Sequence, residues 1–540
     1  MEKQSMTKGF AILSISVLFS KVLSIAYNPI LNHIIGEAAM GVYYATYQVF
    51  AFVFIVVSAG IPVAISKMVA QFNATNSARE VRSTFKIARN FMLIISVFLT
   101  LLLIIFCHQI AGFMGFKDAA IPIAIIAPCI FFASLSYAYR AYFQGMNNMV
   151  PTAISGFLEQ LLNVTLSLFA AFILIRFGLI WGVVGGTVGT TIGAIFSLLY
   201  LIYKKKTLKN NSNIKKEAVR VRQQKIKYRR IFSRIIRIAV PLIICMGITN
   251  FGDFILDSHN ISGRLLESGF KDQEIQTFYG NYGKTNQFIN VPVALITNLN
   301  YSALPAFSAS FALKKYKEAN EKIKYTYKLS FLVVIPFAIA FSVLAKPIFE
   351  FMNYDMYMLL TFGAYNLIFM ALIQLQIAIL QSIGKLYQLT AFAIAGFVSK
   401  YIISFILVGN SSLNIYGALI GLAVGNIIVF SLNQTYLRKT LKMKFSLLAL
   451  AIKPLISSLL MGIVAFLTNM LLREILAEIG AGNFVSNAIS LIMTTVISIT
   501  IYVAMMYVIG GFEKDDLDLL PRRLVSKIPN KILNRIKAEA

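Results

Sequence analysis

Apolar runs of twenty or more residues recur from one end of this sequence to the other. A helix needs about twenty mostly apolar residues to cross roughly 30 Å of hydrocarbon. Fourteen segments qualify, near 8–34, 41–66, 91–113, 121–143, 151–175, 180–203, 231–256, 285–312, 329–351, 357–383, 387–408, 416–437, 445–472 and 484–510. They are far too long for the alternating strands of a barrel, so the predicted elements are helices. The expected fold class is therefore an all-α polytopic membrane protein of about fourteen transmembrane helices.

Composition agrees. The chain is 58% hydrophobic and 13% charged, against about 25% charged in a soluble domain. So little charge cannot cover a water-facing surface. The stretch after Lys8 lacks a small-residue cleavage site and reads as a retained first span.

The charge that remains is 50 Lys and Arg against 22 Asp and Glu. With the N-terminus inside, 37 of those 50 cations fall in inner segments and only about seven in outer loops. That segregation obeys the positive-inside rule and requires an even number of spans, with both ends in the cytoplasm.

The longest basic stretch, 204–230, separates six spans from eight. The predicted organisation is a first lobe over 1–203, a linker over 204–230 and a second lobe over 231–440. Two extra spans over 441–511 and a cytoplasmic tail over 512–540 follow. The linker is expected to rest on anionic lipid headgroups rather than nucleic acid. Segments 78–90 and 314–328 mix basic and apolar residues at helical spacing, which predicts amphipathic helices along the inner interface.

The halves resemble each other. Ile180-Trp181-Gly182-Val183 with Gly186 matches Ile415-Tyr416-Gly417-Ala418 with Gly421, and Gly156-Phe157 matches Gly396-Phe397. Such parallel repeats belong to transporters whose two bundles rock about a central cavity.

Charge at membrane depth is costly and calls for a partner or a watery cavity. Lys21 lies mid-span, with Asn28 on the same helical face. Ser155, Glu159 and Asn163 form one polar stripe on span five. Asn250, Asp253 and Asp257 form another on span seven. Lys400 lies mid-span at the repeat position of Gln160. Lys21 and Lys400 facing a cavity would suit an anionic substrate such as a pyrophosphate. Glu159 and Asp253 are positioned to pair with those lysines, or to bind a coupling cation, and interhelical pairing that merely holds the bundle is the rival reading. Arg140 and Lys453 lie nearer the cytoplasm, where snorkelling to the interface is expected. Asp257, Arg264 and Lys284 read either as site residues or as ordinary charges of an outer loop over 257–284.

Catalytic signatures are missing. There is no phosphate loop, zinc spacing, dinucleotide fingerprint or hydrolytic triad. Cys107, Cys129 and Cys245 each sit in an apolar segment and read as small buried hydrophobes. A transporter is expected, not an enzyme.

Several runs carry a family resemblance: Ser20-Lys21-Val22-Leu23 through Gly36, Ser58-Ala59-Gly60-Ile61-Pro62, and Tyr142-Phe143-Gln144-Gly145-Met146-Asn147-Asn148 with Glu159-Gln160 after it. Asp257, Arg264-Leu265, Tyr279-Gly280 and Gly510-Gly511 continue it. Together they resemble SpoVB/YtgP proteins of the MOP exporter superfamily, which also holds MurJ flippases and MATE antiporters. The resemblance implies two six-helix lobes plus two C-terminal helices. It implies flipping of an undecaprenyl-pyrophosphate-linked saccharide, lipid II first among them, by alternating access. Lys21 matches a basic position of that family. Asn28 and Asn163 stand where relatives often carry Arg, which leaves room for a teichoic-acid or capsule precursor. A cation-coupled multidrug antiporter is the alternative on the same scaffold. The expected partners are the lipid-linked saccharide, anionic lipids and proteins of wall synthesis, with the chain a monomer. No cofactor is expected beyond the membrane potential or a H+ or Na+ gradient.

Overall fold

The computed structural model describes residues 19–512, apart from 21–22, 25, 59, 75–76, 147, 212–227, 252–255, 314 and 480–481. Side chains are described there except at some helical positions, among them 241–242, 245–251 and 298–306. Every regular element among the described residues is helical.

The chain divides into two compact units, Met1–Lys284 with Thr390–Gly425 and Thr285–Leu389 with Asn426–Ala540. In chain order the elements are α1 (26–35), α2 (Glu37–Ser58), α3 (Ile61–Ala74), α4 (Ala78–Phe113), α5 (Ala120–Gly145) and α6 (Val150–Leu174). Then come α7 (Leu179–Asn211), α8 (Tyr228–Phe251), the short α9 (Asp257–Glu267), α10 (Asp272–Ala312) and α11 (Tyr316–Val343). After them run α12 (Ala345–Phe351), α13 (Met358–Gly363), α14 (Asn366–Ser382), α15 (Leu386–Val408), α16 (Ile415–Leu441), α17 (Leu447–Glu478) and α18 (Asn483–Val508).

Ten of these segments are long and apolar enough to cross a membrane. The remaining four expected spans have identifiable reasons for falling short. Most of the first lies outside the described residues. The side chains of α8 and of the later turns of α10 are described only in part, and the tenth span is broken into α13 and the 17-residue α14.

Three local expectations change. Segments 78–90 and 314–328 are not separate interfacial helices, because α4 and α11 run through them into the apolar spans without a break. The polar stretch 257–284 is not a loop. It forms α9 and the first turns of α10, which meet at Gly269. There the Phe270 N–H reaches the Leu265 carbonyl and the Gly269 N–H that of Leu266, at φ +90°. This is a Schellman cap, whose left-handed residue favours glycine.

In the first unit α6 and α7 lie backbone to backbone. Gly185, Gly189 and Gly193 recur every four residues, and a Cβ on Gly193 would sit 2.5 Å from the Glu159 carbonyl oxygen. This small-xxx-small spacing lets membrane helices approach closely. α15 and α16 repeat it: a Cβ on Gly421 would lie 2.9 Å from the Lys400 carbonyl oxygen, and one on Gly425 2.8 Å from that of Gly396. Gly189 meets Asn163 and Ser167 as Gly421 meets Lys400 and Ser404. Packing thus makes Asn163 the counterpart of Lys400, three residues from the Gln160 that sequence matching picks.

In the second unit, Ile289, Val293 and Ile296 of α10 pack on Val334 and Ala338 of α11 and on Leu367 and Ala371 of α14. There α17 and α18 pack together, and the Tyr502 hydroxyl donates to the Leu332 carbonyl at 2.8 Å.

Candidate functional site

Three buried ion pairs of the first unit gather most of the charges singled out by sequence. Each joins two different helices, and each is a cation held by one carboxylate.

The first is on α5 and α6. Arg140 Nη2 reaches Glu159 Oε2 at 2.6 Å and the Ser197 hydroxyl at 3.0 Å, while Nε donates to Ser155 at 2.9 Å. Arg140 is buried, so it does not snorkel. The stripe at Ser155 and Glu159 exists because four-residue spacing puts both on the face that α5 covers. Among the described residues Glu159 therefore pairs with Arg140, while Lys400 pairs elsewhere. Lys453, by contrast, is exposed, and its ammonium donates to the Gly510 carbonyl at 2.7 Å.

The stripe continues at Asn163. Its side-chain oxygen accepts from Thr190 at 3.0 Å and from Ser167 at 3.2 Å, and Thr190 also bonds the Tyr47 hydroxyl. Asn28 is buried and donates to the Tyr44 hydroxyl at 3.2 Å. Around these amides stands an aromatic ladder of Tyr27, Tyr43, Tyr47, Phe50 and Phe54. Sequence reading missed this ladder, although its α2 members recur at three- and four-residue spacing. Where relatives are expected to carry Arg, neutral amides here are hydrogen-bonded to hydroxyls, Asn28 to Tyr44 and Asn163 to Thr190 and Ser167.

The second pair is Lys400 and Asp257, 3.1 Å apart and both buried. Lys400 is near the middle of α15, and Asp257 is the first residue of α9. Next to it, Asn260 donates to the Tyr401 carbonyl at 3.2 Å, Arg264 Nε to that of Phe405 at 2.9 Å, and Ser268 to that of Gly409 at 2.9 Å. One face of α9 is thus laid along the α15 backbone. Arg264 also pairs with Glu267 and stacks over Phe405. Asp257 and Arg264 are structural partners of α15, not loop charges.

The third pair is Lys284 and Glu37, 2.6 Å apart, with Lys284 fully buried. Asn281 donates to the other Glu37 oxygen at 3.0 Å. Sequence reading missed Glu37. The signal for it lay in Gly280 and Gly283, which flank Asn281 and let α10 press on α2: a Cβ on Gly280 would lie 2.9 Å from the Glu37 carbonyl oxygen.

The described charges of the site therefore balance, with Arg140, Lys284 and Lys400 set against Glu37, Glu159 and Asp257. Lys21 and Asp253 lie outside the described residues, as does the side chain of Asn250. Cys107 and Cys129 are buried and free, and Cys245 has no described side chain. Among the described residues no group of His, Cys, Asp and Glu could hold a metal ion.

A family model described as polysaccharide biosynthesis protein matches residues 6–311. The chain is 24% identical over 532 residues to stage V sporulation protein B of Bacillus subtilis (strain 168), covering 96% of this chain and 98% of that protein. It is 21% identical over 447 residues to the lipid II flippase MurJ of the same organism, covering 78% and 80%. Among solved structures, lipid II flippase MurJ in an inward closed conformation matches with a TM-score of 0.67 at 16% identity, over 92% of this chain and 98% of that one. An inward-facing MATE family multidrug resistance transporter of the MOP superfamily matches with a TM-score of 0.64 at 15% identity, over 81% and 100%. The multi-pass helical fold is shared with these proteins.

Proposed function

Because the chain belongs to the polysaccharide biosynthesis protein family, we propose that it flips an undecaprenyl-pyrophosphate-linked saccharide across the bacterial cytoplasmic membrane, with lipid II as the substrate. The observation that carries this reading is the buried Lys400–Asp257 pair. An ion pair out of water is stable only while both partners are present. A pyrophosphate offers Lys400 a stronger anion than one carboxylate, so substrate displaces Asp257 and breaks the hold of α9 on α15. Displacement couples binding to a conformational change, because the two states differ in which anion Lys400 holds.

The prenyl tail needs an apolar path. In the second unit a groove of about 550 Å³ runs beside Ile339, Val343 and Ile368 on one side and Leu459, Ile463 and Phe466 on the other. Its lining suits a polyprenyl chain that stays in lipid while the head moves.

The alternative, a cation-coupled drug antiporter, requires buried acids able to take a cation. Glu37, Glu159 and Asp257 each already hold one, which favours an anionic substrate. On this reading both termini lie in the cytoplasm, and the membrane potential or a H+ or Na+ gradient resets the carrier, which works as a monomer beside the proteins of wall synthesis.

Depletion of the protein in its host, followed by measurement of lipid II accessible on the outer leaflet, tests this assignment. Loss of exposure supports lipid II. Normal exposure with accumulation of a teichoic-acid or capsule intermediate transfers the same mechanism to that substrate, and normal exposure of all three removes the flippase reading.

A further inference from the structure

The second unit carries a cavity that the transport reading does not use. It is an open cavity of about 1210 Å³ where the start of α11, the turn between α14 and α15, and the link from α16 to α17 converge. Five lysines line it: Lys317, Lys324, Lys385, Lys442 and Lys444. Glu321 is the single acid of the lining. Tyr316 and Phe445 add aromatic walls.

The lysines are held there by built geometry. Lys317, Glu321 and Lys324 follow four- and three-residue spacing and share one face of α11. Lys315 and Lys322 point to another face, where both pair with Glu318, at 3.6 and 2.7 Å. That acid is therefore spent outside the cavity. Lys385 is fixed by a Schellman cap: its N–H reaches the Leu380 carbonyl at 2.9 Å, and Gly384 at φ +71° bonds Gln381 at 3.1 Å. Lys442 adopts φ +50°, a left-handed conformation that costs a non-glycine residue free energy and tends to mark functional sites. The adjoining Leu441 carbonyl accepts from Asn320 of α11 at 3.0 Å, which locks the end of α16 against α11. None of the five lysines forms an ion pair among the described residues.

We propose that this cavity is a binding site for a multiply charged phosphate group, distinct from the buried pairs of the first unit. Five ammonium groups against one carboxylate leave an excess of four positive charges in one concave space, and basic pockets between membrane helices on the cytoplasmic side bind diphosphate lipid headgroups. The volume exceeds a lone phosphate and accommodates a diphosphate with its linker. Such a ligand has two sources, the headgroup of an acidic membrane lipid such as cardiolipin or a soluble pyrophosphate. The proposal does not depend on the flippase reading.

Native mass spectrometry of the full-length protein in detergent provides the test, with cardiolipin, phosphatidylethanolamine and inorganic pyrophosphate as separate probes. The variants are K442Q/K444Q, K317Q/K324Q, and K315Q/K322Q as a charge-matched pair outside the cavity. Each lysine near an anionic phosphate contributes about 1 kcal/mol, so either cavity pair should weaken cardiolipin binding by about tenfold or more. The outside pair should change it less than about threefold. Cardiolipin binding that pyrophosphate does not compete away assigns the site to lipid, and competition by pyrophosphate assigns it to a soluble ligand. Equal weakening by all three variants, or cardiolipin bound no better than phosphatidylethanolamine, overturns the proposal. If one cavity pair fails to fold, the other carries the same comparison.

Discussion

Lys284 Nζ sits 2.6 Å from Glu37 Oε1, and this contact binds α10 to α2. Lys284 is fully buried, whereas Glu37 keeps part of its carboxylate exposed. Lys284→Met should therefore cost less than loss of the carboxylate, which strands a buried ammonium. We expect about 2 kcal/mol for Lys284→Met and about 4 kcal/mol for Glu37→Leu. Thermal unfolding of the purified variants in detergent orders the two, and the reverse order would contradict the burial argument.

Arg140 and Glu159 should behave as a coupled unit. Either Arg140→Met or Glu159→Leu leaves an uncompensated charge among α5, α6 and α7, at a cost of about 3 kcal/mol. The double variant removes both charges and should be at least 1.5 kcal/mol more stable than the sum of the single losses. A double-mutant cycle by thermal or denaturant unfolding checks this, and strict additivity would mean the pair contributes no mutual attraction.

Close helix approach gives a contrast between two helical glycines. A Cβ on Gly193 would meet the Glu159 backbone at 2.5 Å, whereas one on Gly112 would meet nothing within 4 Å. Gly193→Ala should cost about 1–3 kcal/mol through forced separation of α6 and α7. Gly112→Ala should be neutral or stabilise by up to about 1 kcal/mol, because alanine is the better helix former. Yield and unfolding temperature of the two variants, prepared in parallel, give the comparison.

The legible part of this molecule was its solvent. Runs such as 91–113 and 484–510 announce helices in lipid, and they emerge as parts of α4 and α18. What sequence reading mistook was polar helix. Residues 257–284 carry Asp257, Arg264, Lys271 and Lys284, which lowers the hydropathy of any window and imitates a loop. The burial of Asp257 and Lys284 depends on α15 and α2, which are far away in the chain. The repeat was visible in its glycines but misaligned by three residues, because Gly396-Phe397 matches Gly156-Phe157 in letters while helix packing pairs Gly396 with Glu159. Lys400 and Glu159 were recognisable as charges too deep to be idle. Their true partners, Asp257 and Arg140, were not, since pairing is set by tertiary contact.

The central claim is that the pyrophosphate of the substrate replaces Asp257 at Lys400. Reconstitution into proteoliposomes with fluorescent lipid II, and measurement of the rate at which the outer-leaflet pool is reached, tests it most directly. We expect Lys400→Glu to lower that rate at least about a hundredfold. Asp257→Asn should retain or tighten lipid II binding yet slow turnover, because the carboxylate that reclaims Lys400 is gone. Wild-type rates in Lys400→Glu would contradict the account.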